Sequence, residues 1–596
     1  MLRLSALKSS GVVSQRAYVA WSLFGACGFG LVACGSDGAA PTNEGGGAAM
    51  NATTGGSSAS GGSSSGSGGS AAAGTTATGG SSGMPGKGGS GGTSGTSAAS
   101  GGMGPAGGTG PAGGMGAAGG TGPAGGTGPA GGAGTGGQSN GGAGSGNAGA
   151  GSGGGGAGGV LGPDLTDVTT FTPATCTITP TVTTASKIPT VGVATFTTDL
   201  AGAERAIIEF GDSTTYTLEA PVDWAAENHK TLILGMPAST DVHYRVVVIQ
   251  GNSACVGPDA TYKTGALSGA PMNQTPTKGT SSATPAPGFI IAENGSSAYI
   301  VNNQGKVVWS YKTALMSVSR ALMSWDGKYM YAREVGPFNA SSGGSIYRVG
   351  MDGEGEMKLN VSGGTHHDLV ATPTGIAYPA KQTQGACDCI FTAAADGSGS
   401  KCLVDLDIVF GKFAEGPGAA AMEKCHVNAI RYYKDTDSYS VSDREKDAIA
   451  FISSKGEVLG SVGAKPTGDT PNHALAEGAD STSSAIWRVQ HGHDQYEPNK
   501  LLLWSNGSFQ GGQSKILHYT INGTSASLDW QYTGTGNSPT LSDAQHLPNG
   551  NFLATNSNSG AVHEIDSSGK LVQSFASLSK GYSQHRPTLY GPPPGR

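Results

Sequence analysis

Short runs of alternating apolar and polar residues dominate the second half of the chain. Between residues 164 and 266 such runs include Val191 to Phe196, Ala206 to Phe210 and His243 to Val248. Alternation with a period of two predicts half-buried β-strands, and the regular spacing of the runs is typical of a β-sandwich. We therefore expect a small all-β domain over residues 164–266.

One stretch of this domain gives the sandwich a more specific type. Leu232 to Pro237, followed by Tyr244-Arg245-Val246, resembles the fibronectin type III or immunoglobulin-like pattern, in which a tyrosine braces a corner between two strands. Cys176 and Cys255 lie near the two ends of the domain, and we expect them to form a disulfide bond. A spacer or interface module explains the domain better than a ligand site does.

Residues 285–590 repeat a layout of a polar opening, a turn, a strand, a closing strand and a glycine turn. The clearest copy runs from Asp543 to Val572, and related copies begin near Gly288, Ser319, His367, His426 and His493. Each copy holds the three or four short strands of a propeller blade, and a closed ring removes exposed sheet edges. The predicted fold is all-β: a six-bladed β-propeller over 285–590 behind the sandwich.

The N-terminus carries a targeting pattern. Three basic residues precede a mostly apolar stretch that ends in Leu31-Val32-Ala33-Cys34. This is an export signal, and it is too short for a stable membrane-spanning helix. Cys34 matches the lipidated cysteine of a lipobox, so residues 1–34 are predicted to be a lipoprotein signal peptide; a cleaved signal with an incidental cysteine is the alternative. Gly35 favours the outer membrane, on its periplasmic face or at the cell surface.

Residues 35–160 are almost wholly Gly, Ala, Ser and Thr. The glycines come in pairs rather than at every third position, which argues against a collagen triple helix. Because large apolar side chains are scarce, nothing offsets the entropy of ordering this segment. We predict a disordered Gly-rich linker with an end-to-end distance of about 60 Å.

Charge limits the classes of partner. The net charge is −7 and no basic run occurs, which argues against a nucleic-acid partner. The glycines of the linker precede no strand–helix unit, so they do not form a phosphate-binding loop, and no cofactor is predicted. The oligomeric state stays open, and a homodimer is compatible with the sequence.

Superposition of the repeats brings three of the twelve histidines to one position. These are His367, His426 and His493, each at the start of a first strand, where Ser319 and Ser542 stand in two other copies. In a propeller this position faces one mouth of the central channel. The imidazoles there suit three roles: metal ligands, acid–base or nucleophilic groups, and structural bonds to backbone carbonyls.

Arg444 changes the balance among these roles. It ends the second strand of the copy that begins with His426, so a strand out and back returns it toward that histidine. A guanidinium beside imidazoles disfavours a metal cation and favours an oxyanion. No metal is therefore predicted. The alternative for Arg444 is a salt bridge with Asp443, Glu445 or Asp447.

The ordered set His366-His367-Asp368, His426-Val427-Asn428, Val441 to Arg444 and His493-Asp494 resembles the bacterial arylsulfate sulfotransferase family. The resemblance covers the predicted propeller well and the sandwich loosely. It implies a six-bladed propeller that acts outside the cytoplasm on aryl sulfates and phenols. No nucleotide sulfate donor is implied.

The resemblance also implies residue roles. His493 matches the nucleophile that attacks the sulfur of an aryl sulfate, forms a sulfohistidine and passes the sulfuryl group to a phenol. His491 lies two residues away, so the choice of nucleophile between the two stays open.

The remaining matched positions either bind the sulfate group or exchange a proton with the phenol. His426, Asn428 and Arg444 match groups that bind the sulfate oxygens and stabilise transition-state charge. His367 matches a histidine that exchanges a proton with the phenol. His366 and His491 are neighbouring candidates for substrate binding.

Four further cysteines, Cys387, Cys389, Cys402 and Cys425, are assigned to an insertion between the third and fourth copies. Export favours two disulfide bonds over a zinc site that includes His426, and the pairing stays open. A bond to Cys425 would help to hold His426 in place.

The phenol-binding wall is not assigned by the motifs. Trp504, Tyr496 and Tyr378 are candidates, and each is equally explained by packing inside a blade.

Two other functions compete with sulfuryl transfer. One is a non-catalytic surface propeller that binds glycans or proteins, which has no need of in-register imidazoles. The other is a metal-dependent lactonase or hydrolase, which needs carboxylates at the channel mouth. Asp368 and Asp494 are the candidates, but each follows a histidine, so strand alternation points it away.

Overall fold

The structure is a computed structural model that describes residues 165–315, 317–334, 344–383, 385–415, 424–477, 487–507 and 513–593. The predicted signal peptide, Cys34 and the linker lie outside these residues. The described chain is nearly all-β, with two 3-10 helices (Val168–Thr170 and Glu227–His229) and one α-helix (Asp407–Phe410). None of its helices has the length and apolar character needed to cross a bilayer.

Nine strands form two sheets before residue 264. They are β1 (Thr172–Pro173), β2 (Ile178–Thr184), β3 (Gly192–Thr198), β4 (Arg205–Gly211), β5 (Leu218–Pro221), β6 (Thr231–Ile233), β7 (Asp241–Gln250), β8 (Ser253–Val256) and β9 (Ala260–Lys263). One sheet has the order β1-β8-β7-β4-β5 with β9 also paired to β7, and the other is β2-β3-β6. Phe196 and Ile233 of the small sheet share a core with Phe210 and Val246 of the large one. The alternating runs thus form a two-layer β unit.

The predicted disulfide of this unit is confirmed: Cys176 and Cys255 are bonded. The three-stranded sheet side of this unit also packs against the part of the chain after residue 264, because Ile188 and Leu234 share a core with Met351 and Leu589. The Tyr590 hydroxyl accepts a hydrogen bond from Leu234 N at 2.7 Å and donates one to Leu232 O at 3.0 Å.

The remaining strands lie between residues 277 and 586. In chain order they are β10 (Thr277–Lys278), β11 (Phe289–Asn294), β12 (Ser297–Asn302), β13 (Val307–Lys312), β14 (Val318–Met323), β15 (Tyr329–Glu334), β16 (Ile346–Gly350), β17 (Met357–Lys358), β18 (Gly364–Thr365), β19 (Val370–Thr372), β20 (Gly375–Lys381), β21 (Asp388–Ala393), β22 (Lys401–Asp405), β23 (Val427–Tyr433), β24 (Ser438–Asp443), β25 (Ala448–Ser453), β26 (Val458–Gly463), β27 (His473–Ala476), β28 (His493–Glu497), β29 (Lys500–Ser505), β30 (Lys515–Asn522), β31 (Ser525–Tyr532), β32 (Asp543–His546), β33 (Phe552–Thr555), β34 (Val562–Ile565), β35 (Leu571–Phe575) and β36 (Gln584–Arg586).

These strands pair as successive antiparallel meanders. We number the meanders by chain position: the first is β36-β11-β12-β13, the second β14 to β17, the third β18/β19 to β22, the fourth β23 to β26, the fifth β28 to β31 and the sixth β32 to β35. Strand β27 joins the outer edges of the fourth and fifth into one nine-stranded sheet, and β10 adds to the sixth. Each meander's first strand is its inner one.

The first meander closes the series. Its inner strand β36 comes from the end of the described chain and pairs antiparallel with β11, with Phe289 opposite Arg586. Neighbouring meanders bury shared apolar faces, such as Ile430 against Ile390 between the fourth and third. A series of radial meanders completed by a late strand is a propeller-like arrangement, in which burial between sheets replaces exposed edges.

Two disulfide bonds stabilise the third meander. Cys389 and Cys402 are bonded across β21 and β22, and Cys387 is bonded to Cys425. The prediction that these cysteines occupy an insertion is wrong for Cys389 and Cys402, which belong to the strands of the meander itself, and for Cys387, which directly precedes β21. Cys425 does lie in the connection between the third and fourth meanders. The expected bridge to Cys425 is present, directly before His426.

Candidate functional site

Strand direction brings two sets of residues to one mouth of the ring. Each first strand starts there, and each antiparallel second strand ends there. The starts supply Ser319, His366, His367, His426 and His491; the ends supply Arg333, Lys381 and Arg444. The out-and-back prediction for Arg444 agrees with this geometry, since Arg444 N donates to His426 O at 3.0 Å.

Four imidazoles pack together at this mouth. The ring of His366 lies 4.2 Å from that of His367 and 4.2 Å from that of His426, centroid to centroid. His367 meets His491 edge to face at 5.5 Å. His367 Nε2 and His426 Nε2 are 3.0 Å apart, so one ring donates a proton that the other accepts. We call these four residues the histidine cluster.

His493 lies outside the cluster. Its Nε2 is 2.6 Å from Ser440 Oγ on β24, and its Nδ1 has no hydrogen-bond partner within the described ranges. Burial, followed by the charge of Arg431, holds the pKa of His493 well below its usual range. Of the two alternatives for the nucleophile, it is therefore His491 that the fold brings beside His367.

The tautomer of His491 follows from its partners. Its Nδ1 lies 2.7 Å from Asn506 Oδ1 and 3.2 Å from Val489 O. A backbone carbonyl only accepts, so Nδ1 carries the proton and Nε2 keeps its lone pair. Burial, followed by the charge of Arg444, lowers the pKa of His491 to about 3. At neutral pH the ring is uncharged, and its Nε2 offers a lone pair.

The other three imidazoles are also neutral. Burial is the largest cause that holds the pKa of His366, His367 and His426 well below the usual value. Positive neighbours add to it: Arg444 acts on all three rings, Arg333 on His366 and His367. A fixed positive charge beside neutral imidazoles is a setting for an anion.

Three cationic side chains surround the cluster. Arg333 donates to Ser319 Oγ at 2.8 Å and to Thr365 O at 2.8 Å. Lys381 Nζ donates to Cys425 O at 2.6 Å, and the Arg444 Nε donates to Glu445 at 2.8 Å. The predicted alternative for Arg444, a salt bridge, is thus present with Glu445. All three cations are nearly buried.

Sequence reasoning missed Arg333 and Lys381, although a signal exists. Arg333 lies near the end of β15, Lys381 ends β20, and Arg444 directly follows β24. The three cations therefore occupy similar places at the ends of the second strands of the second, third and fourth meanders. The superposition that aligned the histidines also aligns these three cations, but only if the second strands are included.

Two buried carboxylates hold the His426 backbone. Asp443 Oδ2 accepts from His426 N at 2.9 Å, and Asp388 Oδ2 accepts from Val427 N at 3.0 Å. Burial, followed by the charge of Asp388, raises the pKa of Asp443 to about 7. These acids fix the loop that carries His426 and limit the net positive charge of the site.

Asn428 links two first strands instead of joining the cluster. Its Nδ2 donates to Gln490 O at 2.8 Å, immediately before His491, and its backbone carbonyl accepts from the Tyr582 hydroxyl at 2.9 Å. Its Oδ1 has no partner among the described residues. The contact places Asn428 where it positions His491.

Asp368 enters an ion cluster farther along the first strands. It lies 3.2 Å from Arg320 Nε and 2.7 Å from Arg431 NH1, and Asp543 contacts the same two arginines. The four residues come from the second, third, fourth and sixth meanders. This central ion cluster was not predicted, because the charges come from four different repeats.

The histidine geometry also fits a metal ion. One ligand nitrogen from each of His366, His367 and His426 lies within 4.8 Å of the others. Three imidazoles are a known zinc ligand set. The nearby guanidinium of Arg444 and ammonium of Lys381 oppose a cation at this point.

The candidate phenol-wall residues are not part of the mouth. Trp504 and Tyr378 are fully buried within their meanders. Tyr496 stacks on His546 at the opposite end of the first strands. A cavity of about 740 Å³ lies between the two-layer unit and the ring, lined by Met236, Phe289 and others, away from the histidine cluster.

No protein-family model matches the sequence, and a search of curated proteins gives no match. Similar solved structures include 6-phosphogluconolactonase-like proteins from Bacteroides fragilis and Bacteroides uniformis. The first is 10% identical with a TM-score of 0.33, covering 51% of this chain and 99% of its own. The second is 13% identical with a TM-score of 0.33, covering 50% and 99%.

A third similar structure is the β-propeller domain of Cps50 (Swd1) from Myceliophthora thermophila. It is 10% identical with a TM-score of 0.29, covering 52% of this chain and 92% of its own. At such values the likeness bears on neither activity nor substrate. The described chain is nearly all-β and propeller-like, with a buried histidine cluster surrounded by cationic side chains.

Proposed function

We propose that this protein transfers a sulfuryl group from an aryl sulfate to a phenol through a sulfohistidine. The observation that carries the proposal is the meeting of neutral imidazoles with the guanidinium of Arg444 at one mouth of the ring. Neutral nitrogen is the nucleophile that such a transfer needs, and fixed cations stabilise the oxyanion that develops.

In the first step, His491 Nε2 attacks the sulfur of the aryl sulfate. A bond forms from Nε2 to the sulfur, and the bond from sulfur to the aryl oxygen breaks. The leaving oxygen receives a proton from the His367–His426 pair, which takes up that proton when the negatively charged sulfate binds. Arg444, Arg333 and Lys381 supply the positive charge around the sulfuryl oxygens.

The second step reverses the first. The acceptor phenol gives its proton back to the His367–His426 pair and its oxygen attacks the sulfur, so the bond from sulfur to Nε2 breaks. His491 returns to its neutral form, because its Nδ1 proton stays on the side facing Val489 O and Asn506 throughout. No external acid, base or cofactor is consumed.

The proposal extends to the architecture. The six meanders are the blades of one propeller, and the two-layer unit is a fibronectin type III-like sandwich. The chain is exported and lipid-anchored through Cys34 at the outer membrane, with the Gly-rich linker as a tether. Incorporation of labelled fatty acid that is lost in Cys34→Ala tests the anchor.

The direct test is turnover of the purified protein with an aryl sulfate donor and a phenol acceptor. Release of the donor phenol together with sulfation of the acceptor is the expected result. Release of inorganic sulfate with an unmodified acceptor would indicate a hydrolase instead.

A metal-dependent hydrolase is the second candidate, favoured by the spacing of the three imidazole nitrogens in His366, His367 and His426. Chelation distinguishes the two. A sulfohistidine mechanism keeps its rate in a chelator, whereas a metal-dependent hydrolase loses activity and regains it when Zn²⁺ is added back.

A further inference from the structure

A second cavity, of about 300 Å³, lies at the opposite end of the ring from the histidine cluster. The first strands all start at the histidine mouth, so their far ends meet here. All six meanders contribute to the lining, through His585, Leu322, Ala371, Tyr432, Tyr496 and His546 in that order around the ring. We call this the distal cavity.

Aromatic side chains form much of its wall. Trp325 lies edge to face with Tyr432 at 5.7 Å, and Tyr496 stacks on His546 at 4.0 Å with an interplanar angle of 7°. Trp325, Tyr496 and His546 keep part of their surface exposed. Such ring faces favour a planar aromatic ligand, which packs by offset or edge contact.

Hydrogen-bond donors lie at the inner end of the cavity. Arg320 and Arg431 line it and are almost fully buried. Arg431 NH1 and NH2 contact Asp368 and Asp543, and each of these nitrogens carries two hydrogens. A guanidinium that is already paired can therefore still donate to an oxygen of a ligand at the inner end of the cavity.

The distal cavity is separate from the histidine mouth. Arg320, Asp368, Arg431 and Asp543 form the central ion cluster, which occupies the first strands between the two ends. A ligand in the distal cavity therefore reaches one side of this ion cluster and not the imidazoles on the other.

We propose that the distal cavity binds a small planar aromatic molecule that carries an acceptor oxygen, such as an aromatic carboxylate. The ring packs among Trp325, Tyr432 and Tyr496, and the oxygen points toward Arg431. The volume is at the lower end of the range for small-molecule sites, which restricts the ligand to a single ring with small substituents. This site does not depend on sulfuryl transfer at the other mouth.

The test is calorimetric titration of the full-length protein with benzoate, using cyclohexanecarboxylate as a probe of equal charge without an aromatic ring. We expect benzoate to bind on the order of tenfold more tightly than cyclohexanecarboxylate. Trp325→Leu should weaken benzoate binding by a similar factor, and Tyr496→Leu, which removes the other partly exposed ring, should do the same and serves if the first variant does not fold. His491→Ala should leave benzoate affinity unchanged.

The outcomes separate cleanly. Absence of benzoate binding at millimolar concentration overturns the proposal, and so does equal binding of the two probes. Loss of binding in His491→Ala with retention in Trp325→Leu would place benzoate at the histidine mouth, which also overturns it. None of these results depends on whether the protein turns over an aryl sulfate.

Discussion

His491 and His493 are separated by a single glycine, yet their imidazoles lie in different surroundings. The ring of His491 meets that of His367 edge to face at 5.5 Å, centroid to centroid. His493 Nε2 instead lies 2.6 Å from Ser440 Oγ, in a contact between the fifth and fourth meanders. Gly492 makes the separation possible, because a Cβ at that position would collide with Asp543. At Gly492, between the two histidines, the backbone therefore passes close to Asp543 of the central ion cluster.

This relationship predicts opposite results for two alanine variants. His491→Ala should lower kcat for sulfuryl transfer by at least about 10³-fold, since the proposed nucleophile is gone. His493→Ala should act mainly on stability, by leaving a cavity and removing one of the two hydrogen bonds of Ser440 Oγ, with a fall in Tm and a rate within about tenfold of wild type. Steady-state kinetics and thermal unfolding of both variants check this. A dead His493→Ala with an active His491→Ala would reverse the assignment.

Arg444 should contribute to the rate through charge. Arg444→Met is expected to lower kcat/KM by about 10² to 10³-fold, the size of an oxyanion-stabilising contact. Arg444→Lys keeps the charge and should recover part of the loss. Arg348→Met is the matched control, because Arg348 donates to Ala395 O on the third meander, outside the cationic set around the cluster. Equal rates in Arg444→Met and Arg348→Met would contradict the role.

The two disulfides of the third meander should differ in their effect on activity. The Cys387–Cys425 bond ends one residue before His426, so the paired variant Cys387→Ser/Cys425→Ser should lose activity through displacement of that ring. Cys389→Ser/Cys402→Ser removes a bond between β21 and β22 and should cost stability with less effect on rate.

The Cys387–Cys425 bond beside His426 also predicts how the wild-type protein responds to a reductant and to a chelator. Reduction should lower activity, whereas chelation should not. Loss of activity in chelator alone would favour the metal-dependent candidate.

Glu293 predicts a loss of stability as the pH rises from about 4.5 to about 8. Burial raises its pKa to about 8, so the folded state holds a proton that the unfolded state releases near pH 4.5. Stability from this group is complete below the unfolded pKa and falls as pH rises toward the folded one, by about 1.4 kcal/mol per pH unit. Glu293→Gln should remove that slope between pH 6 and 8 in denaturant unfolding. An unchanged slope would show that Glu293 ionises normally.

The central ion cluster should be costly to break. Asp368→Asn leaves Arg320 and Arg431 partly uncompensated in the interior, which should reduce the free energy of unfolding by about 3–5 kcal/mol. Asp241→Asn, in an exposed pair with Lys263, is the control and should change it by less than about 1 kcal/mol. Similar effects of the two substitutions would mean that the cluster adds nothing beyond a surface pair.

Local sequence pattern was sufficient to predict the strands and the approach of one pair of site residues, His426 and Arg444. Alternation predicted the two-layer unit and the repeated meanders because a half-buried strand needs a period of two. The out-and-back path from His426 through β23 and β24 predicted the return of Arg444, because both residues belong to one hairpin.

The remainder depends on contacts between repeats. Lys381 reaches the His426 loop from another meander, and Asp368 meets Arg431 across sixty-three positions of sequence. The proposal of His491 rather than His493 as the nucleophile depends on a two-residue offset across Gly492, before β28 and its strand alternation begin at His493. Such distances and offsets are set by ring closure, which a local pattern does not encode.

The proposed transfer requires His491 to carry the sulfuryl group between donor and acceptor. Brief reaction with an aryl sulfate without acceptor, followed by rapid alkaline quench and mass spectrometry of the peptides, tests it most directly. We expect a mass increment of one SO₃ group on His491, which is lost in His491→Ala and discharged by an added phenol. An increment on His493, or rapid acceptor sulfation with no modified histidine, would contradict it.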